Sequence, residues 1–190
     1  MGARLGRCEI LLGPLPVRAA DGERAFGPTR DLTEMARMLS GIPTSMRILG
    51  LGGLIPFVGL ALLVSTGQEP ARLIALQAQI AYGAVILSFL GAVHWGLAVQ
   101  TPALADWWRM AWGVTPALLG WAALLLPARP ALVLLTAALL AALIVDEFCF
   151  SGDDGRSWFL KLRRMLSVGA MAAMLVTFVA IMLGGMPGAA

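Results

Sequence analysis

Leu73–Ala105 reads LIALQAQIAYGAVILSFLGAVHWGLAVQTPALA and contains no Asp, Glu, Lys or Arg. At about 1.5 Å per residue, a helix through this run crosses the roughly 30 Å hydrocarbon core of a bilayer with length to spare for tilt. Gln100, Thr101 and Pro102 supply a turn, so the span ends near Gln100. Lipid offers no partners to an open strand edge, and a helix is the element that satisfies the backbone there. Working outward, Ile48–Thr66 is a second uncharged run and Met165–Leu183 a third, each nineteen residues or about 28 Å of helix. Between them lie Trp107–Leu126, with Arg109 alone near its start, and a shorter run over 130–145 that Pro130 opens at a favoured first-turn position. The fold expected is an all-α integral membrane protein, a bundle of five transmembrane helices near 48–66, 73–100, 107–126, 130–145 and 165–183.

Composition agrees. Of 190 residues, 59% are hydrophobic and 13% charged, and the mean hydropathy is +0.83. Globular domains run at about 45–50% apolar and about 25% charged. A soluble enzyme, a disordered linker and a disulfide-framed secreted module are excluded, because none of them can keep this much apolar surface from water. The net charge of +3 does not point to nucleic acid, since the charges punctuate the apolar runs instead of forming a stripe on a polar face. Cys8 and Cys149 cannot make a disulfide framework. Thirteen of the fourteen basic residues are Arg, Lys161 is the only Lys, and Asn does not occur; this composition predicts a GC-rich bacterial source.

Short loops rich in Arg and Lys stay on the cytoplasmic side. Five spans place Arg37, Arg47, Arg109, Arg156, Lys161, Arg163 and Arg164 on one face and only Arg72 and Arg129 on the other. Seven against two predicts the N-terminus inside and the C-terminus outside. The loop over 146–164 also carries four acids, which contribute little to this rule. It reads as a solvated cytoplasmic turn, with Trp158 and Phe159 at the interface and Arg163 and Arg164 reaching the headgroups. Residues 1–40 mix Gly, Pro, Arg and acids without sustained periodicity. They read as a poorly ordered extension, or as an upstream-start artefact with Met35, Met38 or Met46 as the true start; a secretory signal and a lipoprotein box both fit poorly.

Within the span 73–100, Ala84, Ser88, Ala92 and Gly96 recur every four residues and share a helix face, a packing seam inside the monomer or between copies. His94 is the only histidine, and an ionisable group at membrane depth needs partners. A tight hairpin about Thr101 brings Arg109 and Trp112 towards it. The candidate polar pocket is therefore His94, Trp95, Arg109, Trp112 and Tyr82, suited to a headgroup, quinone or anion. The alternative is a neutral imidazole bonded to a main-chain carbonyl or Thr115, fixing how two helices pack. Pro56 and Pro116 should kink the first and third helices. One histidine without Cys or carboxylate at ligand spacing builds no zinc site, and no Asp or Glu falls inside a span to act as base or proton relay. No catalytic residue, metal or cofactor is predicted; haem and quinone are the cofactors a lone intramembrane histidine leaves open.

Leu51-Gly52-Gly53-Leu54-Ile55-Pro56-Phe57 and the run from Tyr82 through His94-Trp95-Gly96 resemble the transmembrane protein 69 family, whose bacterial members form a domain of unknown function. The likeness runs from about Ile42 to Leu183. It implies a small multi-pass protein of the bacterial inner membrane with mitochondrial relatives in eukaryotes, and it implies no activity. The leading expectation is a non-enzymatic structural, assembly or accessory component, in contact with the lipid bilayer and with itself or a larger membrane complex. A small transporter or channel using Pro56, Pro116 and His94 is the alternative, and a membrane redox or quinone- or haem-binding module is the third reading.

Overall fold

The computed structural model describes residues 42–150 and 157–184. The expectations for residues 1–40, including Cys8 and the alternative starts, and for Arg156 lie outside them. Every regular element among the described residues is helical: α1 (Thr44–Gly52), α2 (Leu54–Thr66), α3 (Ala71–Gln100), a 3-10 turn (Pro102–Leu104), α4 (Trp107–Leu124), α5 (Ala128–Phe150) and α6 (Ser157–Leu183).

The α1–α2 break follows from Pro56, which has no N–H to offer the carbonyl of Gly52. The chain interrupts three residues earlier, where Gly53 N–H donates to the carbonyls of both Leu49 and Gly50 at 3.0 Å. Gly67 ends α2 in an extended conformation, and a Cβ there would collide with the Leu63 carbonyl. Asp106 caps α4, its carboxylate accepting from Arg109 N–H at 2.6 Å. Pro116 lies within α4, which continues through it.

Thr44–Thr66, Ala71–Gln100, Ala128–Phe150 and Trp158–Leu183 are long and apolar enough to cross a membrane. The expected third span is not among them: α4 has 18 residues and carries four tryptophans and Arg109, which dilute its apolar content. Two expected boundaries are corrected. The fourth helix runs over 128–150 rather than 130–145, and the last begins at Ser157 rather than Met165. The run without charges is shorter than the helix because Asp146, Glu147, Arg163 and Arg164 pair across the α5–α6 hairpin and continue both helices. The loop over 146–164 is thus not a solvated turn over 146–150 and 157–164.

The pairs α2–α3, α3–α4 and α5–α6 run antiparallel. Tyr82 meets Gly53, and Arg72 meets Val64, between α2 and α3; Gly91 faces Gly113, and Ala84 faces Gly120, between α3 and α4; Asp146 meets Arg163, and Thr136 meets Met174, between α5 and α6. Helices α2, α3, α5 and α6 form a ring of neighbours, and α4 packs in the groove between α3 and α5. Arg47, Arg109, Lys161, Arg163 and Arg164 fall at one end, Arg72 and Arg129 at the other. At that second end Arg72 donates to the carbonyls of Val64, Ala180 and Gly184, placing a cation at the C-terminal turns of α2 and α6.

The core is made by Phe57, Leu76, Leu87, Leu132, Leu135, Leu139, Met174 and Ile181, all buried. Ile48, Val58, Phe89, Val99, Leu118, Phe148 and Leu175 face outward, as an apolar belt against lipid requires.

Candidate functional site

A carboxylate at one end of the bundle joins three helices. Asp146 on α5 accepts from His94 Nε2 on α3 at 3.1 Å and from Arg163 Nε on α6 at 2.6 Å. Arg163 NH1 also donates to Ser167 Oγ, one turn along α6. All four side chains are buried, from 1% exposed for His94 to 5% for Arg163. With Asp146 accepting from a guanidinium, a carboxylate oxygen is also the acceptor opposite His94, and Nε2 is the donor in that bond. The imidazole stacks on Phe150 at 5.7 Å between centroids, and Phe159 meets Phe150 edge-on at 5.5 Å. On the outer side Arg164 makes a two-point contact with Glu147.

Among the described residues three buried polar atoms are left over: His94 Nδ1, Arg109 Nε and Arg163 NH2. Each is a group whose desolvation is not offset by a protein partner.

The candidates read from sequence divide between two sides of α3. His94 turns to α5 and α6, whereas Trp95, next on the helix, turns to α4 and donates from Nε1 to the Met110 carbonyl at 3.2 Å. Arg109 is buried at the start of α4, and Trp112 packs against the apolar core. Thr115 is bonded to Ala111 of its own helix at 2.9 Å, so the partner of His94 is Asp146 rather than Thr115 or a main-chain carbonyl. Tyr82 is twelve residues from His94, about 18 Å along the helix; it donates to the Gly53 carbonyl at 2.9 Å and meets Phe57 edge-on.

The expectation that no acid falls inside a span is overturned by Asp146, which is 3% exposed within α5. The sequence carried one signal for it: the acidic doublet Asp146-Glu147 is followed 17 residues on by the basic doublet Arg163-Arg164, and both acids find their partners across the α5–α6 hairpin. A second buried polar contact lies far along α3, where Thr177 Oγ1 donates to Gln79 Oε1 at 2.6 Å. Among the described residues no three His, Cys, Asp or Glu side chains group to hold a metal.

The small-residue seam divides between the interior and the exterior of the monomer. Ala84 is buried, Ser88 is half-buried, and Ala92 and Gly96 are exposed; a Cβ on Gly96 would meet nothing within 4 Å. Within the monomer the close approach runs through Ala84 and Gly91, against Gly120 and Gly113. The physical reason is angular: four residues advance about 400°, a drift of about 40° per step, whereas seven advance about 700° and fall only about 20° short. A spacing of seven therefore stays on an antiparallel neighbour, while a spacing of four winds outward.

Beside the network lies a cleft of about 160 Å³ between α1–α2, α3, α5 and α6. Its walls are apolar apart from Arg163 and Ser167, and Gly50 and Gly53 face it without side chains.

A family model described as "Protein of unknown function (DUF3429)" matches residues 42–179. Over 73 residues, 37% of this chain, the sequence is 47% identical to a Xenopus tropicalis protein named Transmembrane protein 69. Over 159 residues, 83% of this chain, it is 28% identical to the Mus musculus protein of the same name. These matches span 28% and 64% of the relatives' own lengths, under two thirds in both. No solved structure matches the chain. The family match includes His94, Asp146, Arg163 and Ser167 and reaches from ahead of α1 well into α6, and the chain belongs to the transmembrane protein 69-like family of proteins of unknown function.

Proposed function

We propose that this is a non-enzymatic accessory component of a bacterial inner-membrane complex, with five helices in the bilayer, the N-terminus inside and the C-terminus outside. The observation that carries this reading is the commitment of Asp146: the acid that could have served as a base is shared between His94 and Arg163. A carboxylate holding two donors joins helices and is not poised to take a proton from a substrate. The orientation rests on the charge asymmetry between the two ends. Assembly with a neighbour, a second copy or a larger complex, is supported by the Ala92–Gly96 face, which is small and exterior.

Native electrophoresis of mildly solubilised membranes tests it. The tagged chain should migrate in an assembly well above its 20.0 kDa monomer, and Ala92→Leu should release the monomer without lowering its amount. Migration of the wild-type chain as a monomer overturns the reading.

A further inference from the structure

The geometry points to the cleft beside Arg163 as a binding site for a neutral membrane quinone, its ring between α1–α2 and α6 and one carbonyl oxygen on Arg163 NH2. The inference goes beyond membership of a complex and does not depend on it.

Four observations converge. Of the donors on the Arg163 side chain, Nε is given to Asp146 and NH1 to Ser167, while NH2 is buried and has no partner. Arg163 and Ser167 are the polar residues on the cleft wall, so the leftover donor belongs to a side chain that faces the site. The cleft holds about 160 Å³, and a cavity of about 150 Å³ lined by apolar side chains accepts one benzene-sized ring. Its lining residues Leu49 and Phe89 are 75% and 66% exposed on the apolar exterior, which gives a hydrocarbon tail a way out to lipid.

Charge decides between occupants. The guanidinium is already matched by Asp146, so one neutral acceptor satisfies NH2. A phosphodiester would bring a second anion to a balanced pair and would need several donors for its oxygens where Arg163 has one to spare. The flat wall made by Gly50 and Gly53, with Phe57 beside it, suits a planar ring better than a branched glycerol.

The full chain in nanodiscs of phosphatidylethanolamine and phosphatidylglycerol is titrated with decylubiquinone, and occupancy is read by native mass spectrometry. The expected result is saturable binding of one quinone per chain. Leu49→Trp fills the mouth from an outward-facing position that does not bear on folding, and it should abolish saturable binding while the thermal midpoint stays unchanged. Arg163→Lys keeps a cation for Asp146 but has a single nitrogen, which leaves no donor at the NH2 position, weakening binding by roughly tenfold or more, the worth of one hydrogen bond to a charged group. Unsaturable uptake, equal binding by wild type and Leu49→Trp, or a retained phospholipid that decylubiquinone does not displace overturns the assignment.

Discussion

Replacing Asp146 by Asn removes one charge and almost no volume, and so isolates the electrostatics of the three-helix junction. Asp146 is 3% exposed and Arg163 5% exposed, so the substitution leaves a guanidinium uncompensated where water does not reach it. Removing one partner of such a buried pair costs about 3–5 kcal/mol. The neighbouring pair is an internal control. Arg164 and Glu147 are joined across the same hairpin, but their side chains are 59% and 28% exposed, and exposed pairs contribute about 0.2–1 kcal/mol. Asp146→Asn should therefore shift the unfolding equilibrium roughly a hundredfold to a few thousandfold, and Glu147→Gln less than about tenfold. Reversible unfolding in mixed micelles, titrated with SDS, measures both. Asp146→Asn combined with Arg163→Met removes both charges and should recover much of the loss, because the penalty lies in the orphaned cation. His94→Gln keeps a donor for Asp146 and should be tolerated, whereas His94→Leu should not. Equal effects of Asp146→Asn and Glu147→Gln, or no recovery in the double variant, would refute the junction as described.

Two further outcomes follow from packing and topology. A Cβ on Gly120 would come within 2.9 Å of the Ala84 carbonyl, whereas one on Gly96 meets nothing within 4 Å; Gly120→Ala should cost about 1–3 kcal/mol and Gly96→Ala almost nothing in the same unfolding assay. Reporter fusions near Pro127 and after Ala190 should be active outside and fusions near Pro102 and Gly152 inside; the reverse pattern would dismiss the charge count.

The helices were legible because an uncharged run of span length has one physical solution in lipid, and the small loops carry proline, glycine and a capping aspartate. The span ends at Asp146 and Arg163 were not, because a charge in sequence is a boundary only while its partner is unknown. The site was legible in part. His94 stood out as the lone imidazole inside a span, but its partner lies 52 residues away on a helix that is not its neighbour in sequence, and the hairpin with α4 drew attention to Arg109 and Trp112 instead. The seam divides between interior and exterior for a smaller reason. Ala84, Ser88, Ala92 and Gly96 share a face over one step and leave it over three, so spacing alone did not tell a packing row from an exterior one.

The two buried polar contacts on α3 divide the labour of fixing the bundle. Lipid gives helices no hydrophobic reason to prefer one register, so register has to come from fit and from polar partners. Gln79 takes a hydrogen bond from Thr177 on α6 and lies under the Phe57 carbonyl of α2 at 3.5 Å, while His94, fifteen residues or about 22 Å further on, reaches α5 and through Asp146 the opposite end of α6. Holding α6 at two separated points resists both sliding and rotation against α3, which one contact could not do. Helix α4 is held differently: Trp95 ties its first turn, and beyond that Gly113 and Gly120 rely on close backbone approach to Gly91 and Ala84. Van der Waals fit falls off within a fraction of an ångström, so α4 is the helix whose seat depends most on glycine, and the one that a single added methyl group at position 120 should loosen while the α2, α3, α5 and α6 ring stays closed.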